Sequence, residues 1–264
     1  MPRGELNGWS YSYTDEGSGP VLIFNHGIEM DRTIWDPLID DLKSSYRCVA
    51  IDAPGHGESA TVDMGTDFYA YGDMLTGVAD QLGVDAAVWL GQSMGGFINL
   101  RLALRHPERV KGLVLTDTQA HSEDPDKLAQ YEAFLKVASE DGITEDLTNV
   151  LMLVYFGPTF GTKPEADLWR KKLMNTDIPA QHAMIRAVFD RDDVHDRLGE
   201  IHCPCIVIHG EEDVAIEPER GEQLAKDLPD ASFVLIEKAG HCSVFERADA
   251  VLPHVRSFLG RINY

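Results

Sequence analysis

The sequence predicts an α/β fold built on a mostly parallel sheet with helices on both faces. Apolar runs of strand length alternate with segments of helical periodicity as far as Thr116. The alternation stops after Asp117, where about 70 residues have helical spacing, and it resumes at Cys205. Parallel neighbours require crossover connections, so ligand-binding side chains are expected at the carboxyl ends of the strands.

Local patterns place the elements of the first half of the chain. Trp9, Tyr11 and Tyr13 alternate with polar residues, which predicts a strand with one aromatic face. Gly83 and Pro107 each follow a helical stretch and are expected to end it. The other predicted elements are strands at 21–25, 48–52, 86–90 and 112–116, and helices at 34–42, 67–82 and 96–106.

The second half begins with a helical stretch and then returns to the alternating pattern. The predicted helices of that stretch lie near 124–140, 144–155, 165–175 and 179–190. Strands are expected again at 205–209 and 232–236, with helices from about Pro218 and at 248–259. We therefore expect a core domain at 1–120 and 191–264, with residues 121–190 inserted in it as a helical cap, or lid.

Composition limits the classes of partner. The chain has 264 residues, 44% of them hydrophobic, which is enough for a sizeable core. Its formal net charge of −21 would repel phosphate backbones and anionic lipid surfaces, so we expect no nucleic-acid and no membrane partner. No run approaches the ~18 apolar residues of a membrane span, and the start lacks a secretory apolar stretch, which favours a cytoplasmic protein. A homo-oligomer is compatible with this composition.

The four cysteines form no recognisable framework. Cys48, Cys203, Cys205 and Cys242 are read as reduced thiols. His202 adjoins Cys203 and Cys205, but a metal site there would need further ligands of which the sequence gives no sign. We expect no metal.

Residues 91–95 read Gly-Gln-Ser-Met-Gly and stand between a predicted strand and a predicted helix. A serine hydroxyl can attack a carbonyl only where the backbone exposes it, as at the tip of a sharp strand-to-helix turn. Gly91 and Gly95 remove the side chains that would block such a turn. Ser93 is therefore the candidate nucleophile.

A serine nucleophile needs a base, and the base needs an acid that orients it. His241 follows the last predicted strand and is the best placed histidine for the base. Asp213 follows the preceding strand and is the preferred acid, in the chain order Ser, Asp, His. The competing acids are Glu211, Glu212 and Asp117.

The tetrahedral intermediate of such a reaction needs hydrogen-bond donors for its negative charge. We expect the backbone N–H groups of Ile28 and Met94 to supply them, Met94 because it directly follows the nucleophile. His26 is interpreted as bracing this loop rather than as a catalyst. The glycine-rich segment 52–59 lacks the Gly-Lys-Ser/Thr of a phosphate loop and is interpreted as a structural turn.

These motifs, taken in order, resemble the α/β-hydrolase superfamily over nearly the whole chain. They are the His-Gly loop, the Asp-x-x-Gly-His-Gly-x-Ser turn, the Gly-x-Ser-x-Gly elbow, Gly-x-x-Asp and Gly-His. The resemblance implies an eight-stranded sheet, a helical cap over the site, catalytic roles for Ser93, Asp213 and His241, and no cofactor. Trp35-Asp-Pro-Leu, Asp117-Thr-Gln-Ala and His241-Cys-Ser-Val-Phe-Glu look like the 3-oxoadipate enol-lactonase branch.

The favoured function is a serine hydrolase for a small carboxylic ester or lactone that works through an acyl-enzyme. The alternatives are carbon-carbon bond hydrolysis or perhydrolysis on the same triad, and a ligand receptor that retains the triad. Arg32 or Arg186 could receive a substrate carboxylate. The candidates to contact the substrate are Glu29, Met152, Phe156, Trp169, Met184 and Phe189.

Overall fold

The computed structural model describes residues 2–62, 65 and 67–264. Within these ranges eight strands form one sheet, in the spatial order β1-β2-β4-β3-β5-β6-β7-β8. The strands are β1 (Arg3–Leu6), β2 (Trp9–Glu16), β3 (Val21–Asn25), β4 (Arg47–Ile51), β5 (Ala87–Gln92), β6 (Val110–Thr116), β7 (Cys205–Gly210) and β8 (Ala231–Ile236). Strand β2 pairs antiparallel with β1 and β4, and the remaining neighbours are parallel. The prediction of a mostly parallel sheet is confirmed.

The helices, apart from the short one at Ser243–Glu246, lie close to the positions that the sequence predicts. They are α1 (Asp36–Leu42), α2 (Phe68–Gln81), α3 (Met94–Arg105), α4 (Pro125–Asp141), α5 (Glu145–Tyr155), α6 (Pro164–Met174), α7 (Ile178–Phe189), α8 (Pro218–Asp227), α9 (Ser243–Glu246) and α10 (Ala248–Arg261). Helix α3 directly follows β5, with Ser93 as the joint between them.

The central strands are buried on both faces, which explains why they read as continuous apolar runs. In β5, Ala87 and Trp89 belong to the core layer that also contains residues of α2, α3 and α8. Val88 and Leu90 belong to the opposite layer, with residues of α1 and α10. Successive side chains of a strand point to opposite faces of the sheet, so β5 contributes side chains to both core layers. Burial of a large apolar side chain contributes about 1.5–3 kcal/mol.

Helices α4 to α7 lie between β6 and β7, and every residue between these two strands is described. Asp124, Thr144 and Asp177 begin α4, α5 and α7, where each side-chain oxygen accepts a backbone N–H of the first turn. Helices α4 to α7 are called the insertion below. Lys172 of α6 joins the insertion to the rest of the chain, because its Nζ donates to Asp31 Oδ2 at 2.7 Å.

Two elements were not predicted from the sequence. Strand β1 has no apolar alternation and lies at the sheet edge, where backbone pairing with β2 alone defines it. The short helix α9 follows His241. No helix among the described residues is both long and apolar enough to cross a membrane.

Candidate active site

Ser93 lies at the turn from β5 to α3 with φ 52° and ψ −113°. A positive φ is unusual for a residue with a side chain, so neighbouring contacts must hold it there. The Ser93 N–H donates to Thr116 O at 2.9 Å, and its carbonyl oxygen accepts from Gly96 N at 2.8 Å and from Thr118 Oγ1 at 2.9 Å. The backbone is thereby fixed on both sides of the hydroxyl.

The glycines beside Ser93 are needed for space. A Cβ on Gly95 would lie 2.0 Å from the carbonyl oxygen of Asn25, and one on Gly91 would lie 2.5 Å from the backbone of Gly95. A Cβ on Gly96 would lie 2.5 Å from the side chain of Thr118. The turn packs backbone against backbone, which is the physical reason for the Gly-x-Ser-x-Gly pattern.

His241 and Asp213 are brought together from the loops after β8 and β7. His241 Nδ1 lies 2.8 Å from Asp213 Oδ2, and both side chains are buried. Burial opposes the charged imidazolium, but the Asp213 carboxylate raises the pKa of His241 above its usual value. Burial also opposes ionisation of Asp213, but His241 and His209 hold its pKa well below its usual range. The pair is arranged to keep Asp213 ionised.

Both oxygens of Asp213 have several donors. Oδ1 accepts the backbone N–H groups of Ala215 and Ile216 at 2.9 and 3.0 Å. His209 Nε2 lies 3.0 Å from Asp213 Oδ2 and 2.9 Å from Ile216 O. Since both of these partners are acceptors, His209 Nε2 carries the proton. His209 therefore orients the acid, a role that the sequence analysis missed.

Asp117, the competing acid, is close by but has a different set of partners. Its Oδ1 accepts Gly210 N at 2.9 Å, and its Oδ2 accepts Ser243 Oγ at 2.7 Å. Burial raises the pKa of Asp117 to about 6. Asp117, His209 and Asp213 could face a cation together, but the carboxylate oxygens of both aspartates already accept hydrogen bonds. We assign the cluster to positioning of the β7 and β8 loops.

The loop after β3 is braced by two neutral histidines. Ala53 N donates to His26 Nε2 at 2.9 Å, so His26 donates from Nδ1 to Gly27 O. Glu29 N donates in the same way to His56 Nε2 at 3.3 Å. Burial lowers the pKa of His26, and it lowers that of His56 to about 3.

The glycine-rich turn at 52–59 supports the same loop. Asp52 Oδ1 accepts Arg32 N at 2.8 Å, its Oδ2 pairs with the Arg32 guanidinium, and that oxygen also accepts Glu58 N at 3.1 Å. Both side chains of this ion pair are buried. The interpretation as a structural turn agrees with these contacts.

Ile28 and Met94 are the predicted oxyanion donors. Ile28 lines the same cavity as Ser93. Met94 is the first residue of α3, so its N–H belongs to the first helical turn and has no partner within the helix. The start of a helix also favours negative charge. The oxyanion role of these two N–H groups stays a prediction.

A buried carboxylate connects the base loop to the insertion. Glu246 Oε1 accepts Gly240 N at 3.0 Å and Cys242 N at 3.3 Å, on either side of His241. Its Oε2 accepts Gly157 N, just beyond α5, at 2.8 Å. Burial raises the pKa of Glu246 to about 7. Glu246 belongs to the quoted His-Cys-Ser-Val-Phe-Glu segment, but nothing in the pattern indicates this role.

A cavity of about 280 Å³ lies between the insertion and the carboxyl ends of the strands. Ser93 and His241 line it from the strand side, and the insertion contributes residues of α4, α5 and α7. Two of the predicted substrate contacts, Glu29 and Phe189, line it. Tyr155 also lines it, stacks on His241 at 6.0 Å between ring centroids, and was missed by the sequence analysis.

Four predicted substrate contacts lie elsewhere, which corrects the expectation that they line the pocket. Phe156 and Trp169 pack on each other, 6.1 Å between ring centroids, and Trp169 also packs on Phe245 of α9. Met152 and Met184 are buried in the two core layers. These apolar residues hold the insertion to the rest of the chain and do not line the cavity.

The two arginines suggested for a substrate carboxylate are also outside the cavity. Arg32 pairs with Asp52, and Arg186 pairs with Glu132 and Asp190. Among the described residues that line the cavity there is no lysine or arginine.

With this geometry established, comparison with known proteins is informative. Residues 20–248 match the family described as alpha/beta hydrolase fold, and the chain belongs to that family. It is 29% identical to a pimeloyl-[acyl-carrier protein] methyl ester esterase of Nitrosomonas europaea, covering 85% of this chain and 90% of the relative. It is 26% identical to 3-oxoadipate enol-lactonase 1 of Acinetobacter baylyi, and that match covers 93% of this chain and 90% of the relative.

The fold comparison agrees. A thermophilic esterase from Thermogutta terrifontis superposes with a TM-score of 0.92 at 26% identity, and the match covers 100% of both chains. The predicted fold and superfamily are confirmed.

Proposed function

We propose that this protein is a serine hydrolase that cleaves a small carboxylic ester or lactone through an acyl-enzyme intermediate. It is a hydrolase that acts on ester bonds, in keeping with its family and with the names of the esterase and lactonase relatives. The observation that supports this mechanism is that Ser93 and His241 line one cavity. Asp213 Oδ2 lies 2.8 Å from His241 Nδ1, the ring nitrogen that would not act as the base.

In the first half of the proposed reaction, Ser93 Oγ attacks the ester carbonyl carbon and His241 Nε2 takes the hydroxyl proton. Asp213 Oδ2 accepts a hydrogen bond from the Nδ1–H of His241, which keeps that proton on Nδ1 and leaves Nε2 free to act as the base. The carbonyl oxygen becomes an oxyanion, which accepts hydrogen bonds from the N–H groups of Ile28 and Met94. The C–O bond then breaks, and His241 returns its proton to the departing alkoxide.

In the second half, a water molecule gives its proton to His241 and attacks the acyl carbon. The second tetrahedral intermediate uses the same donors and collapses as the bond between the acyl carbon and Ser93 Oγ breaks. His241 returns its proton to Ser93 Oγ, and the acid is released. In a lactone the departing alkoxide stays attached to the acyl group, so the product is a single hydroxy acid.

We also propose that residues 121–190 act as the cap over a core domain formed by 1–120 and 191–264. A roofed cavity of about 280 Å³ favours a small ligand, because such sites enclose most of the ligand surface. The net charge of −21 favours a small-molecule partner over a nucleic acid or an anionic membrane surface.

The test is a panel of p-nitrophenyl and alkyl esters with small lactones, assayed beside Ser93→Ala. Loss of a triad serine typically reduces kcat by ~10⁶, so the variant should show no measurable turnover while it keeps the wild-type circular dichroism spectrum. Product analysis of the wild-type reaction distinguishes ester hydrolysis from carbon-carbon cleavage or peracid formation. A folded Ser93→Ala protein with near wild-type rates would overturn the covalent mechanism.

A further inference from the structure

Glu29 places a carboxyl group directly in the cavity, next to the proposed oxyanion donor Ile28. Its backbone has φ 58°, and its amide donates to His56, so the residue is held in an unusual conformation. The side chain is 9% exposed, and the residue lines the cavity. The carboxyl group therefore faces the space that a substrate would fill.

The side chain is positioned by a neighbour of the base. Tyr155 donates its hydroxyl to Glu29 Oε2 at 3.0 Å, and the ring of Tyr155 stacks on His241. Glu29 is thus tied, through one tyrosine, to the side of the site where the proton is transferred. Glu29 and Ser93 line the same cavity, so a charge on Glu29 would act on a substrate bound there.

Of the residues that the structure describes, two with carboxyl side chains line the cavity, Glu29 and Glu123, and they differ in whether a cation pairs with them. Glu123 pairs with the buried guanidinium of Arg191 at 3.1 Å. Among the described residues, no ion pair joins Glu29 to a cation, and its hydrogen-bond partner Tyr155 is neutral. Burial raises the pKa of Glu29 to about 7, while the hydrogen bond from Tyr155 opposes the rise. Above that pH, Glu29 brings an uncompensated negative charge into a small cavity.

We propose that Glu29 selects the substrate by charge: the site accepts esters or lactones that carry a hydroxyl or amino donor near the scissile carbonyl, and it rejects those that carry a carboxylate there. The proposal rests on the proposed hydrolase function. A donor on the substrate would satisfy the Glu29 oxygens, whereas a second carboxylate would be buried against a like charge, which is unfavourable. The name of the enol-lactonase relative refers to an oxoadipate, a dicarboxylate. Under this proposal, the negative charge of Glu29 disfavours binding of a substrate with a free carboxylate in the cavity of this chain.

The test compares diethyl succinate with monoethyl succinate, and ethyl 3-hydroxybutanoate with ethyl butanoate, at about pH 8. We expect the wild-type kcat/KM to be at least about tenfold higher for the diester than for the monoester, since like charges are opposed. Ethyl 3-hydroxybutanoate should exceed ethyl butanoate. In Glu29→Gln the diester-to-monoester ratio should fall by about tenfold, because the amide keeps the shape and removes the charge. Glu140→Gln, an exposed change of the same charge in α4, should leave the ratio at its wild-type value.

An unchanged ratio in folded Glu29→Gln overturns the proposal while leaving the hydrolase function intact, provided that turnover still depends on Ser93. If Glu29→Gln does not fold, the wild-type ratio decides: equal or faster hydrolysis of monoethyl succinate overturns the proposal. Absence of Ser93-dependent hydrolysis of any ester or lactone overturns both the proposed function and this inference.

Discussion

Gln92 donates its side-chain N–H to the backbone carbonyl oxygen of His241, with 2.8 Å between the two atoms. The residue that precedes Ser93 thereby holds the loop that carries His241, across 149 positions of sequence. Gln92 also packs against the loop after β3, because a Cβ on Gly27 would lie 2.2 Å from its Oε1. The side chain of Gln92 therefore connects the turn that carries Ser93 to the His241 loop and to the loop after β3.

Replacing Gln92 by leucine should weaken both the fold and the reaction. The carbonyl of His241 would lose a buried donor, which costs about 1–3 kcal/mol in unfolding free energy, and the base would be less well positioned. We expect kcat/KM to fall by about tenfold or more. Urea unfolding and ester kinetics measure the two effects. Gln223→Leu on the exposed face of α8 is the matched control, and a Gln92→Leu protein as stable and active as that control would contradict the role.

Asp213→Asn should reduce kcat by about 10⁴, because an amide no longer selects the imidazole tautomer whose Nε2 is the base. Asp117→Asn should have a much smaller effect, since Asp117 bonds Gly210 and Ser243 rather than His241. Steady-state kinetics on the two variants, with circular dichroism to check folding, give the ranking. The opposite ranking would move the acid to Asp117.

The buried carboxyl of Glu29 predicts a pH dependence of stability. Its pKa of about 7 in the folded protein exceeds the ordinary value of 4.5, so the folded state binds the proton more tightly. Stability contributed by this group is full below about pH 4.5 and is lost as the pH rises towards 7, by about 3 kcal/mol in all. Urea unfolding at pH 4.5 and pH 8 should therefore show a smaller loss for Glu29→Gln than for the wild type. Glu246, whose pKa is also raised to about 7, titrates in both proteins and cancels in the comparison. Equal losses would contradict the prediction.

A chain-length series tests the size of the site. The cavity of about 280 Å³ should accept p-nitrophenyl esters of two to four acyl carbons and should disfavour long ones. We expect kcat/KM to fall from C4 to C12 and little activity on long-chain triglycerides. A steady rise through C12 to C16 would indicate a lid that opens on lipid.

The sequence predicted best those structural features that depend on a single segment of the chain. The end of a strand and the start of a helix are local, so the positions of Ser93, Asp213 and His241 at strand ends followed from apolar runs and their boundaries. The glycines at 91 and 95 indicated a tight turn, although the contact that excludes a side chain at Gly95 is with Asn25 on another strand.

It was least informative where two distant segments meet. On α5, Leu151 lines the cavity and the adjacent Met152 does not, yet both are apolar, both are buried and both belong to the same core layer. Helical periodicity identifies an apolar face without identifying what covers it. The contact of His209 with Asp213 depends in the same way on how the β7 loop closes, which no pattern of residue types reveals.

The positive φ of Ser93 implies that this position is a compromise between folding and chemistry. A glycine would adopt the same backbone angles at little cost, whereas a residue with a side chain held there stores about 1–3 kcal/mol. A Ser93→Gly protein should therefore gain stability and, if Ser93 is the nucleophile, lose all activity. Such an inactive variant would be a starting scaffold for making this fold more stable.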